Sequence, residues 1–214
     1  MERQVTALKV DPKRRGRIQV HLDGAWAMTL SASAAAGLTV GQQLRPDAIE
    51  RLTRQDAVQA ATAQALRLLS RRPRSEQELR QAWDRRGVAP EAQAAALEHL
   101  RRTGQVDDAA FAETWVENRG AFRPRSVRAL RSELRRKGVD ESAIAAAVDG
   151  LDEKEAAYRA AQRFAQRSAD LPEQAFYTRL GGQLARRGFD WEIIRAAVRR
   201  VWAEQNPNPE GKRG

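Results

Sequence analysis

The sequence predicts a mainly α protein: tandem three-helix repeats in an elongated, curved, right-handed or solenoid-like array, preceded by a small N-terminal β-hairpin region. Three observations lead there. The hydrophobic period changes from 2 to 3.6 residues near Arg54, one segment recurs at steps of 51 and 50, and 42% of the 214 residues are hydrophobic with no cysteine among them. A chain of this length buries roughly 70% of the surface its unfolded form exposes, so it can fold without metal or crosslink staples. The missing cysteine excludes a disulfide frame, a thiolate zinc cage and a cysteine nucleophile, and favours a cytoplasmic setting. No run approaches the roughly 18 apolar residues of a membrane span, and Met1–Val5 leads into Lys13-Arg14-Arg15 rather than a signal core, so no membrane is expected.

The N-terminal region, expected over 1–53, alternates. Ile18, Val20 and Leu22 form one apolar row; Trp26, Met28 and Leu30 form another after Asp23-Gly24, a dipeptide that supplies the positive φ angles of a type I′ turn. Val5 to Val10 offers a further strand. A lone hairpin is marginal in water, so this sheet should lean on the Ala-rich stretch from Ser31 or on the segment from Asp47. From Arg54 to Trp202 helices of roughly 10 to 15 residues follow. The expected units are 54–106, 107–151 and 152–204, before a disordered tail over 205–214 that holds Pro207 and Pro209.

The repeat is visible when Arg72-Pro73-Arg74-Ser75 is laid on Arg123-Pro124-Arg125-Ser126. In that register Leu79, Trp83, Gly87 and Val88 fall on Leu130, Leu134, Gly138 and Val139, and a third copy continues with Leu180, Leu184, Gly188 and Phe189. Ser75 with Glu78 reads as a capping box, and each glycine stands where a helix must stop in a left-handed conformation. Arg85-Arg86, Arg136-Lys137 and Arg186-Arg187 precede those glycines, where cations complement the helix dipole. Val106, Asp107 and Phe111 fit a hydrophobic staple before a leading helix, and Asp152 with Glu155 offers the same start one unit later.

Catalysis has little to work with. There is no Gly-rich phosphate loop and no His-Glu-x-x-His, and the acidic pairs Asp107-Asp108 and Asp140-Glu141 sit at helix starts, where capping explains them. His21 and His99 read as structural or merely exposed, and Trp83, Trp115 and Trp202 as core residues. The chain is therefore expected to be neither an enzyme nor a cofactor protein. The basic residues carry more information: 38 Lys+Arg face 28 Asp+Glu, and only five of the 38 are lysine. Arg71, Arg72 and Arg74 crowd one inter-helix turn and Arg119, Arg123 and Arg125 the equivalent turn, while Arg135, Arg136, Lys137, Arg186 and Arg187 form the basic corners. Such an array can meet phosphates along a nucleic acid or acidic patches along a protein polymer. Residues 107–152 carry eight basic and nine acidic side chains against ten and six over 54–106, which disfavours one continuous nucleic-acid groove.

The strings Val106-Asp107-Asp108-Ala109-Ala110-Phe111-Ala112, Trp115-Val116-Glu117-Asn118-Arg119 and Leu130 to Val139, with the preceding Ala65 to Ser75 and Glu78-Leu79, resemble the bacterial RecX regulatory family. With the third copy the resemblance covers about residues 54–203. It departs at Phe122-Arg123-Pro124-Arg125, where a glycine is expected in the turn. The resemblance implies a non-enzymatic, monomeric regulator of the RecA recombinase in DNA repair, lying in the groove of the RecA filament on single-stranded DNA and generally suppressing its ATPase and strand exchange. Single- and double-stranded DNA are further candidate partners, and the cationic residues named above are the candidate contact set. The rival expectation is a transcriptional regulator that reads promoter DNA through helix-turn-helix-like units.

Overall fold

The computed structural model describes residues 1–207; residues 208–214 of the expected disordered tail lie outside them. Strands β1 (Arg3–Val10), β2 (Arg17–Leu22), β3 (Ala25–Ser31) and β4 (Gln43–Leu44) form an antiparallel sheet in the order β3-β2-β1-β4. At the β2–β3 turn Asp23 and Gly24 take φ values of +52° and +84°, the signature of the two-residue type I′ connection. Val5, Val20, Leu22, Met28 and Leu30 bury one face. Trp26 departs from its expected row. The β2–β3 register runs from Val20 opposite Met28 to His21 opposite Trp26, so Ala27 is an extra residue, and this bulge turns the indole to the solvent face, where it is 62% exposed.

Both expected supports for the sheet are present. Ser31 caps the short helix α1 (Ala32–Ala35) by accepting from the Ala34 N–H, and Ile49 and Leu52 of α2 (Pro46–Leu69) pack on the sheet core. Buried Asp56 of α2 accepts from Arg17 Nη1 at 2.7 Å and from the Ser31 N–H at 2.8 Å, joining sheet and helix by a polar clamp. Helix α2 is 24 residues long, well beyond the expected lengths, and passes uninterrupted through Arg54. It contains no glycine, and its single proline stands at the first helical position, so nothing stops it.

The helices form three successive sets. The second half of α2 packs with α3 (Glu76–Asp84) and α4 (Pro90–Arg102) around Ala61, Ala65, Leu79, Trp83, Leu97 and Leu100, and the Trp83 indole donates to the Ala61 carbonyl at 3.1 Å. Helices α5 (Asp108–Phe122), α6 (Val127–Arg136) and α7 (Glu141–Val148) enclose Phe111, Val116, Leu130, Leu134 and Ile144. Helices α8 (Glu153–Ala165), α9 (Glu173–Ala185) and α10 (Trp191–Gln205) enclose Ala161, Phe176, Leu180, Leu184 and Val198. The chain forms two compact units: Met1–Arg74 with Glu78–Val106, and Ser75–Gln77 with the residues from Asp107 onward.

The middle helix of each set ends identically. The N–H groups of Val88, Val139 and Phe189 donate to the carbonyls of Trp83, Leu134 and Leu184, while Gly87, Gly138 and Gly188 take φ of +66°, +76° and +88°. This is the Schellman closure, with an apolar pair across each bond. Starts are also capped as expected: Asp107 accepts from the Ala109 and Ala110 N–H groups, Asp140 from Ser142, and Asp152 from Glu155. No glycine is needed at Phe122-Arg123, because Arg123 sits at φ −146° and the turn has no residue with positive φ. Buried Ser126 caps α6 through the Ala129 N–H at 3.1 Å. Ser126→Ala is expected to lower stability by about 1 kcal/mol, read as a lower urea midpoint at unchanged slope.

Candidate functional site

In the first helix set, cations converge from three places. The last turn of α2 brings Arg67, the turn after it Arg71, Arg72 and Arg74, and the turn after α3 Arg85 and Arg86. Arg72 is occupied: its Nη1 and Nη2 donate to both oxygens of Glu78 at 3.1 and 3.0 Å, a fork that raises its pKa. Arg74 is half-buried with Nε donating to the Leu68 carbonyl, and burial, then the Arg72, Arg71 and Arg85 charges, push its pKa down against the opposing pull of Glu78. Arg67, Arg71, Arg85 and Arg86 are exposed, and no ion pair holds them among the described residues. They line a groove of about 380 Å³ completed by Gln64, Leu68 and Ala82, with no carboxylate in its wall.

The second set is built the other way. Glu133 of α6 is buried, and its Oε2 accepts from the Trp115 indole at 2.8 Å and from Arg119 Nε at 2.8 Å. Arg125 Nε lies 2.8 Å from the other carboxylate oxygen, a charge contact without hydrogen-bond alignment. The Arg119 guanidinium and the Lys137 ammonium stand 4.5 and 4.7 Å from the Trp115 ring centroid, within cation–π range. Trp115 and two of the candidate contact arginines therefore organise the interior around one acid.

A further cationic group gathers near the start of α6 and the end of α9. Arg187 donates from Nη1 to the Pro124 carbonyl at 2.9 Å and lies over the Phe164 ring at 4.7 Å. Burial, followed by the charges of Arg125, Arg163 and Arg123, lowers its pKa, yet a guanidinium so perturbed is still charged at neutral pH. Arg163 donates to the carbonyls of Ala121 and Phe122. Arg123 and Arg186 are exposed. Arg135 is held by Glu141 in a bidentate, fully solvated pair, and exposed Arg136 uses Nε on the Ser132 carbonyl.

The expected residues thus separate. Arg72, Arg119, Arg125, Arg135 and Arg187 have internal partners; Arg71, Arg123, Arg136 and Arg186 present guanidinium groups outward. Reading the sequence missed Arg67 and Arg163 as members of these clusters and Glu133 as an organiser. Signals existed for two of them. Arg67 lies one helical turn before Arg71, and Glu133 falls between Leu130 and Leu134 on the apolar face, a place an acid occupies only when paired. Among the described residues no group of His, Asp and Glu could hold a metal ion, and no helix is long and apolar enough to cross a membrane.

Three family models match the helix sets in order: the first, second and third three-helix domains of RecX match residues 61–100, 107–148 and 152–198. The chain belongs to the RecX family. A regulatory protein RecX from Thermobifida fusca is 39% identical over 164 residues, spanning 73% of this chain and 89% of the relative. One from Streptomyces coelicolor is 35% identical over 72% of this chain and 84% of the relative. A crystal structure of a regulatory protein RecX matches with a TM-score of 0.62 at 24% identity, covering 90% of this chain and 97% of that one, which is a likeness of fold. RecX membership accounts for the three helix sets and makes this chain a member of a regulatory rather than an enzyme family.

Proposed function

We propose that this chain is a cytoplasmic, monomeric regulator of the RecA recombinase, binding its filament on single-stranded DNA and suppressing ATP turnover and strand exchange during DNA repair. Membership of the RecX family carries this reading, because the relatives that match most of the chain are regulatory proteins of that name. The outward cations support a contact set narrower than the sequence suggested. Arg71, Arg123, Arg136 and Arg186 are exposed with no carboxylate partner among the described residues, whereas Arg72 and Arg125 would each leave an acid behind if reversed. Exposed cations steer association and add modest affinity apiece, so several spaced contacts act together through effective concentration.

Adding substoichiometric protein to preformed RecA filaments on single-stranded DNA should lower the ATP hydrolysis rate. An unchanged rate together with unchanged filament length defeats the proposal. Glutamate substitution at Arg71, Arg123, Arg136 and Arg186 together should raise the half-inhibitory concentration by roughly 10-fold, given about 0.35 kcal/mol lost per exposed contact. Competition between a specific and a random duplex at fixed salt separates this activity from promoter recognition, since phosphate-only binding discriminates weakly.

A further inference from the structure

The groove in the first helix set and the Glu133 cluster in the second occupy equivalent places in the repeat. Gln64, Leu68, Ala82 and Arg86 each stand 51 residues before Trp115, Arg119, Glu133 and Lys137. The structure keeps the register: buried Ala61 and Ala65 correspond to Ala112 and Val116, and Leu79 and Trp83 to Leu130 and Leu134. Even the contact between helices recurs, as the Gln64 amide donates to the Ala82 carbonyl at 3.4 Å where the Trp115 indole donates to the Glu133 carboxylate.

What differs is what fills the place. In the second set an indole and a carboxylate occupy it, and the carboxylate accepts from Trp115 and Arg119 and neutralises Arg125 at 2.8 Å. In the first set Gln64 and Ala82 are too small to do so, a groove of about 380 Å³ remains, and Arg67, Arg71, Arg85 and Arg86 surround it without an acid. Four like charges around one concavity repel each other, and an entering anion relieves that repulsion while gaining charge-assisted hydrogen bonds. We propose that this groove is a receptor for the carboxylate of an aspartate or glutamate on a partner protein, which takes from outside the place that Glu133 fills from within.

A side-chain carboxylate suits the site better than a phosphodiester. The equivalent position already holds a carboxylate on a slender stem, reaching down between two helices. A phosphodiester continues as chain on both sides and meets a convex row of cations more easily than a groove floor. The assignment stands apart from the RecA reading, since it concerns which anion enters the groove and not which protein carries it.

The test uses the full chain and isothermal titration with a blocked hexapeptide of alternating aspartate and glutamate, and separately with a short oligothymidylate, at one fixed ionic strength. Ala82→Glu gives the first set its own internal carboxylate and should weaken peptide binding by at least ~10-fold, the loss expected when one well-formed charged contact is pre-empted. Ala82→Gln, of the same size but neutral, should stay within ~3-fold of the parent. Gln81→Glu adds the same charge on the exposed neighbouring position and should change binding by less than ~2-fold, which controls for net charge. Oligothymidylate binding should be indifferent to Ala82→Glu. Equal peptide affinity in Ala82→Glu and parent overturns the proposal, and so does a loss confined to the oligothymidylate, which would make this a phosphate site. Should Ala82→Glu fail to fold by circular dichroism, Arg67→Glu with Arg85→Glu carries the same test: peptide binding retained within ~2-fold overturns it.

Discussion

Glu133→Ala is expected to lower the unfolding free energy by about 3 kcal/mol, one of the two largest effects anticipated for a single substitution in this chain. Removing one member of a buried charge cluster leaves its partners desolvated and unmatched, which typically costs about 3–5 kcal/mol. The lower end applies, because the Arg119 and Arg125 side chains retain 26% and 33% exposure and recover some hydration. The Trp115 indole also loses its acceptor. Urea unfolding followed by tryptophan fluorescence and by circular dichroism reads the loss. Glu133→Gln keeps an acceptor for the indole and should cost about half as much. Equal stability of parent and Glu133→Ala would mean that the cluster is a solvated surface arrangement rather than a buried one.

Gly188→Ala is expected to cost a similar amount, about 3 kcal/mol, from two sources that a control separates. At φ +88° an L-residue is strained by roughly 1–2 kcal/mol, and a Cβ there would lie 2.6 Å from the Ser126 hydroxyl and 3.0 Å from the Ala129 methyl, an overlap of the kind that costs about 1–3 kcal/mol. Gly87→Ala has the same sign of φ but open space around the new methyl, so it should show the conformational part alone. The difference between the two melting shifts measures how tightly the third set's corner seats against the start of α6. That seat is also held by the Ser126 N–H donating to the Arg187 carbonyl at 3.2 Å and Arg128 Nη2 to Gly188. Gly138 repeats the arrangement within the same unit: a Cβ added there would lie 2.6 Å from the Gln77 Cβ, and the Ser75 hydroxyl donates to the Lys137 carbonyl. Gly138 and Gly188 thus serve twice, as left-handed caps and as points of close packing, whereas Gly87 serves as a cap alone.

Much of this architecture was legible because it rests on local signals. The Asp23-Gly24 turn, the Asp107, Asp140 and Asp152 caps and the three helix-stop glycines are each specified by a few neighbouring residues. The tandem register was equally plain, since Leu79, Leu130 and Leu180 bury the same turn of the same helix in each copy. Trp26 lies off the row its alternation predicts because a bulge of one residue reverses the face of everything beyond it, and the bulge depends on cross-strand pairing rather than on the strand's own pattern. Helix α2 begins before the change of hydrophobic period for a simpler reason: that change marks where a helix changes neighbours, not where it begins.

The candidate contact set was the least legible part. Counting arginines in turns could not distinguish Arg71, which faces solvent, from Arg125, which turns inward to Glu133. Local chemistry alone settles where the capped helices start, where the glycine-stopped helices end and how often the unit recurs. The fate of each charge is a matter of assembly in three dimensions. A guanidinium has a stem long enough to reach acids and carbonyls far away in sequence, so whether it is spent internally or left for a partner depends on what the fold happens to bring within that reach.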